Sequence, residues 1–131
     1  MKWIVWFSCL FLFSCKSESD VKLSNKWQLE SYVKNESSLV KNVPGFIYFT
    51  FMRDNTISVD LDLNTCFGLY TKSSKTLILT DFSCSEICCD STISLNAFEL
   101  FTDSIRTYQI NGETLKLKGK YGTTMQLTLV K

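Results

Sequence analysis

Cysteine is the residue type in this chain best suited to chemistry. There are six, and no histidine accompanies them. Cys9 and Cys15 fall in the apolar opening, while Cys66, Cys84, Cys88 and Cys89 fall in the body of the chain. The spacing Cys84-x₃-Cys88 makes one zinc knuckle at most, and Cys66 stands alone, whereas Cys₄ zinc sites present two such knuckles. No C-x-x-C redox pair occurs. The four later cysteines are therefore expected to form structural disulfides, with neither a metal nor a cofactor. Four cysteines allow three pairings. Bridging the neighbours Cys88 and Cys89 would strain the backbone, which leaves Cys66–Cys89 with Cys84–Cys88, or Cys66–Cys88 with Cys84–Cys89.

The absence of histidine removes Ser-His-Asp and Cys-His nucleophiles, histidine metal sites and histidine acid–base catalysis. Asp60 and Asp62 lie two apart on one expected strand face, where neighbouring carboxylates usually meet water. Glycosidase carboxylates face each other across the bond they cleave. Lys116, Lys118 and Lys120 share another strand face. They would suit lipid headgroups or anionic glycans, but a solvated face that discourages edge pairing is the simpler account. Phe46, Tyr48, Phe49, Phe51, Phe67, Tyr70, Phe98, Phe101 and Tyr108 are expected mainly in the core, with some available to line a ligand groove. The chain carries 14 basic and 13 acidic side chains. This balance gives no reason to expect nucleic acid or an anionic surface as partner. The protein reads as a non-enzyme.

Residues 1–14 open with Lys2 and continue as a short apolar run, MKWIVWFSCLFLFS. The run is too short to span a bilayer, which takes about 20 residues as a helix, and it suits the apolar segment of an export signal. Leu12-Phe13-Ser14-Cys15 resembles a bacterial lipobox, in which the cysteine is acylated and becomes the first residue. Thioether-linked diacylglycerol plus an amide-linked acyl group on Cys15 would supply the several chains that stable anchoring needs. Residues 15–25 then read as a polar tether. Lys16, directly after the cysteine, resembles the outer-membrane sorting pattern of lipoproteins. The expected location is thus the cell envelope, anchored at the outer membrane through Cys15.

The elements that must position these residues read as antiparallel β with one helix. Strand patterns cover Trp27–Val33, Phe46–Met52 and Ile57–Leu63, the last with Ile57, Val59, Leu61 and Leu63 on one face. A hairpin follows over Phe67–Thr71 and Thr76–Thr80, then a cysteine-rich connector from Ser83. Asp90 or Ser91 can cap a helix over about 92–103 whose inner face is Ile93, Ala97, Leu100 and Phe101. Asn111-Gly112 predicts a type I′ hairpin turn. Leu115 and Leu117, then Met125, Leu127 and Leu129, close the sheet. The architecture expected is α+β, mainly antiparallel β: a curled sheet or partly open barrel of about seven or eight strands with one short helix.

Residues 26–131 resemble the META domain of HslJ-like bacterial lipoproteins. The resemblance rests on ordered landmarks: the opening strand Trp27-Gln28-Leu29, the segment Asn64-Thr65-Cys66-Phe67-Gly68-Leu69-Tyr70, the connector Ser85-Glu86-Ile87-Cys88-Cys89, the helical Phe98-Glu99-Leu100-Phe101, and the hairpin Tyr108–Leu117. Phe67 stands where the family has asparagine, and Ser85-Glu86 where it has Thr-Arg. The family's usual cysteine pair falls on Cys66 and Cys89, so the resemblance favours Cys66–Cys89 with Cys84–Cys88. It implies a small β-rich fold with a helix, an envelope location and an interaction or stress-tolerance role without an established enzyme activity. Besides the membrane, the expected partner is an unknown protein or a small apolar ligand held in a lipocalin-like pocket.

Overall fold

The structure of the chain, a computed structural model, describes residues 21–36, 39–40, 43, 45–87 and 89–131. The export segment and the acylation site Cys15 lie outside these residues, as does Cys88. Eight strands form one antiparallel sheet: β1 (Lys26–Val33), β2 (Tyr48–Phe51), β3 (Thr56–Asp60), β4 (Thr65–Lys72), β5 (Leu77–Cys84), β6 (Ile105–Asn111), β7 (Thr114–Gly119) and β8 (Thr124–Leu129). One helix, α1 (Thr92–Ser104), joins β5 to β6. The strand order β5-β4-β3-β2-β1-β8-β7-β6 is a pair of meanders joined where β1 pairs with both β2 and β8.

The sheet curls into a half-barrel because alternate side chains on nearly every strand are apolar and must share one interior. Trp27, Phe49, Ile57, Val59, Cys66, Leu77, Leu115, Leu117 and Leu127 are all fully buried. The edge strands β5 and β6 touch at a single bridge, Thr76–Thr107. Tyr108 locks it, its N–H donating to Lys75 O (2.9 Å) and its hydroxyl to Ser73 O (2.8 Å).

Away from that bridge the gap is filled by α1. Both ends of the helix meet the same end of the barrel, since it starts beside the β3–β4 turn and runs directly into β6. Ser91 caps it, its Oγ accepting from Ser94 N at 3.2 Å. The buried face is Ser94, Ala97, Leu100 and Phe101, with Ile93 and Phe98 only partly covered.

Several strand details differ from the sequence reading. β3 stops at Asp60 because Leu61 N donates to Asn64 O and closes a turn. Leu63 therefore points to solvent, 52% exposed, rather than inward. β5 continues to Cys84 past a bulge at Asp81, whose φ is +57° and where the register shifts opposite Gly68. The turn between β6 and β7 is Gly112-Glu113, with Asn111 paired to Thr114. Only Gly112 has positive φ there, which fits a type II′ turn and excludes type I′. The folded unit also starts before residue 26: Leu23 is 1% exposed and its carbonyl accepts from Trp27 Nε1 at 3.0 Å.

Candidate functional site

The cysteines were expected to staple a strand end to the helix entrance. The bond present is Cys66–Cys84, across neighbouring strands, with Cα atoms 4.0 Å apart. The pairing Cys66–Cys89 with Cys84–Cys88, favoured by family resemblance, is thereby corrected, as is the alternative Cys66–Cys88 with Cys84–Cys89. The physical reason is register. Once the Asp81 bulge adds a residue to β5, Cys66 and Cys84 become direct partners in the ladder. Directly opposed side chains on one sheet face are within bonding distance. Cys66 is fully buried and Cys84 exposed. Cys89 is also disulfide-bonded. Among the described residues no cluster of three or more cysteines and carboxylates is placed to hold a metal ion.

Beside this bond lies a polar hub tying the β3–β4 turn to the connector before α1. Asp90 accepts from Leu63 N (2.7 Å), Asn64 N (3.2 Å) and Asn64 Nδ2 (2.6 Å). Asn64 Nδ2 also donates to Ile87 O, and its Oδ1 accepts from Ile87 N (2.8 Å) and Ser85 Oγ (2.9 Å). Asn64 thus acts as a side-chain strand partner for the connector, beyond the backbone bond from Ser85 N to Thr65 O.

Asp60 and Asp62 do not share a strand face, because the turn separates them. Asp60 accepts from Thr65 Oγ1 at 3.0 Å. Asp62 accepts from Ser91 N (3.0 Å), Ser91 Oγ and Ser94 Oγ, so it anchors the first turn of the helix. Desolvation raises the Asp62 pKa, but the bonds from Ser94 and Ser91 outweigh it and hold the carboxyl below its ordinary range. The signal available in the sequence was Ser94 itself, a polar residue on the helical stripe otherwise filled by Ala97, Leu100 and Phe101.

A folded-state pKa below the unfolded value stabilises the fold above the unfolded pKa. That stabilisation fades as pH falls through the folded one. Asp62→Ala should cost about 1–2 kcal/mol near pH 6, from lost bonds to an ionised acceptor at a helix start. The gap between wild type and variant should narrow below about pH 4. Urea unfolding at the two pH values checks this; a gap that stays constant would show that Asp62 does not act through its charge.

Of the aromatic set, Phe49, Phe51, Tyr70 and Phe101 are buried and pack edge to face, as in Phe49–Phe101 at 4.6 Å and Phe51–Tyr70 at 5.1 Å between centroids. They fill the interior rather than line a pocket. Phe46 and Phe67 are outside, 45% and 55% exposed.

A concave surface lies elsewhere, where β6 and β7 pass the β4–β5 turn. A groove of about 520 Å³ is lined by Lys75, Tyr108, Ile110, Lys116 and Lys118, among others. Lys116 and Lys118 share the outer strand face, as the sequence suggested, whereas Lys120 belongs to a following 3₁₀ turn, Lys120–Gly122. Among the described residues no carboxylate forms an ion pair with the three groove lysines. The groove can hold an anion; among the described residues its lining includes no carboxylate and no thiol.

No protein-family model and no curated protein matches the chain. Three solved structures share its fold. One, an NMR structure of a protein from Burkholderia xenovorans, is 15% identical with a TM-score of 0.65, over 82% of this chain and 83% of that one. A crystal structure of a DUF4847 family protein from Bacteroides vulgatus is 14% identical with a TM-score of 0.62, over 80% and 92%. A further NMR structure is 17% identical with a TM-score of 0.55, over 81% and 89%. At such identities the likeness is one of fold.

Proposed function

We propose that this chain is a lipid-anchored, non-catalytic interaction or stress-tolerance module of the bacterial cell envelope, META/HslJ-like in type, held at the outer membrane through Cys15. The observation that carries the reading is one of order along the chain. A short apolar opening ends at Leu12-Phe13-Ser14-Cys15, and a few residues later begins a fold whose interior is occupied by its own side chains. The remaining polar chemistry is structural: Asp60, Asp62, Asn64 and Asp90 are each engaged in local hydrogen bonds. A carrier of small apolar ligands, the alternative raised by the aromatic content, has less support, since Phe49, Phe51 and Phe101 use the space such a ligand would take.

Metabolic labelling with an alkyne fatty acid in a lipoprotein-processing bacterium tests the anchor. The wild-type chain should be labelled, and its intact mass should correspond to a chain starting at an acylated Cys15. Cys15→Ala should lose the label and accumulate as precursor or leave the membrane fraction. Label retained by Cys15→Ala would refute the assignment of the anchor.

A further inference from the structure

The near-balance of charge along the sequence conceals a separation in space. Because the strands alternate in direction, the loops fall into two sets at opposite ends of the half-barrel. One end gathers the β2–β3, β4–β5 and β6–β7 turns together with both described termini. The other gathers the β3–β4 turn, the connector and α1.

The terminal end carries Lys22, Lys26, Arg53, Lys72 and Lys75, all exposed, against the exposed Asp54. Its remaining charges, Lys131 and Glu113, neutralise each other as an ion pair at 2.7 Å. From there the groove runs along β7 past Lys116 to Lys118, which pairs with Thr124 toward the other end of the strand; neither forms an ion pair among the described residues. The helix end has an acidic excess by contrast: Asp60, Asp62, Glu86 and Asp90 surround the hub and Glu99 and Asp103 lie on α1, against Lys34 beside Glu99 and Asp103, Arg106 at the start of β6 and Lys120 in the β7–β8 turn.

We propose that the terminal end is a membrane-facing surface that rests on anionic lipid headgroups, with the helix end turned away from the bilayer. The inference rests on the anchoring reading above and adds an orientation to it. Two observations carry it. The first is charge complementarity, since lysines and arginine within a Debye length of an anionic leaflet are attracted to it. The second is where the chain leaves the fold. The described residues begin at Val21, beside the cationic turns, and Cys15 lies six residues earlier. Even fully extended, those residues reach only about 20 Å. A lipid on Cys15 therefore holds the cationic end near the headgroups, at high effective concentration, while repulsion disfavours the acidic end. Lys75, the groove lysine in the β4–β5 turn, would meet phosphate groups of the same lipids.

The test uses the full chain, processed and acylated in a bacterial host and reconstituted into vesicles. Two compositions are compared: phosphatidylcholine alone, and phosphatidylcholine with about one-third phosphatidylglycerol. A photoreactive benzoylphenylalanine is placed at Met52 in one sample and at Leu95 in another. These are exposed apolar positions at the terminal and helix ends, 36% and 51% exposed. Acylation of Cys15 is verified by intact mass, and lipid adducts are counted by mass spectrometry.

In the phosphatidylglycerol vesicles, adducts at Met52 should exceed those at Leu95 by about fivefold or more. Lys72→Glu with Lys75→Glu should erase most of the excess. Equal adducts at the two positions, or more at Leu95, in a chain confirmed as acylated would overturn this orientation while leaving the anchor intact. So would an excess at Met52 that persists undiminished in phosphatidylcholine alone. An unacylated Cys15 would overturn the anchoring reading and the orientation with it.

Discussion

Phe101→Ala is expected to remove about 4 kcal/mol of folding stability, the largest effect of any single substitution considered for this chain. The ring is fully buried and meets three others edge to face: Phe49 at 4.6 Å, Phe82 at 6.1 Å and Phe51 at 6.3 Å. Each such pair adds to what burial alone contributes. Phe82 is in turn positioned by Gly68, where a Cβ would come within 2.6 Å of its ring. The helix, the β5 bulge and the strand interior thus converge on one side chain. Truncation would open a cavity that the surrounding sheet cannot close, because its strands are fixed by their ladders. The melting temperature should fall by roughly 15 °C for a domain of this size. Leu95→Ala, on the exposed side of the same helix, should change stability by less than about 0.5 kcal/mol. If both variants unfold alike in denaturant, the helix does not plug the barrel as described.

The sequence made most of this architecture readable, for reasons that particular residues illustrate. Ile57 and Val59, Leu115 and Leu117, and Met125 and Leu127 alternate with polar neighbours, and alternation is a direct consequence of one buried sheet face. The helix was readable because Ser91 can cap it and because Ala97, Leu100 and Phe101 recur at helical spacing. What stayed hidden depended on register and on distance. A bulge at Asp81 requires only that one residue take positive φ, and nothing in the local composition announces it. Yet that bulge decides which cysteine faces Cys66. The hub behaves in the same way. Asp62 and Ser94 are far apart along the chain, and their bond exists only after β3 stops early and the helix docks. Charge was the most misleading quantity. A net value near zero hides a cationic end and an acidic end, since a sum carries no positions. For Cys66 and Cys84, named from the sequence, the partner was set by the ladder.

Opening the Cys66–Cys84 bond is expected to cost about 3 kcal/mol, the second large effect. The bridged cysteines are 18 residues apart, and a loop of that length sets the figure in the chain-entropy account. The bond does more than close a loop. It ends the β4–β5 ladder next to Asn64 and Ser85, whose side chains hold the connector, and Ser85 N donates to Thr65 O (3.1 Å) just past the bridge. Cys66→Ser with Cys84→Ser should therefore lower the melting temperature by about 10 °C. It should also raise hydrogen exchange at the amides of Leu63, Asn64 and Ile87, which the hub protects. Amides of β7 and β8, on the far side of the half-barrel, should keep more of their protection. The connectivity has its own check: non-reducing proteolysis of the oxidised chain should release a peptide pair joined through Cys66 and Cys84. A pair joining Cys66 to Cys89 instead would mean that the connector, and not the end of β5, is bonded to β4, and would overturn the Cys66–Cys84 bridge.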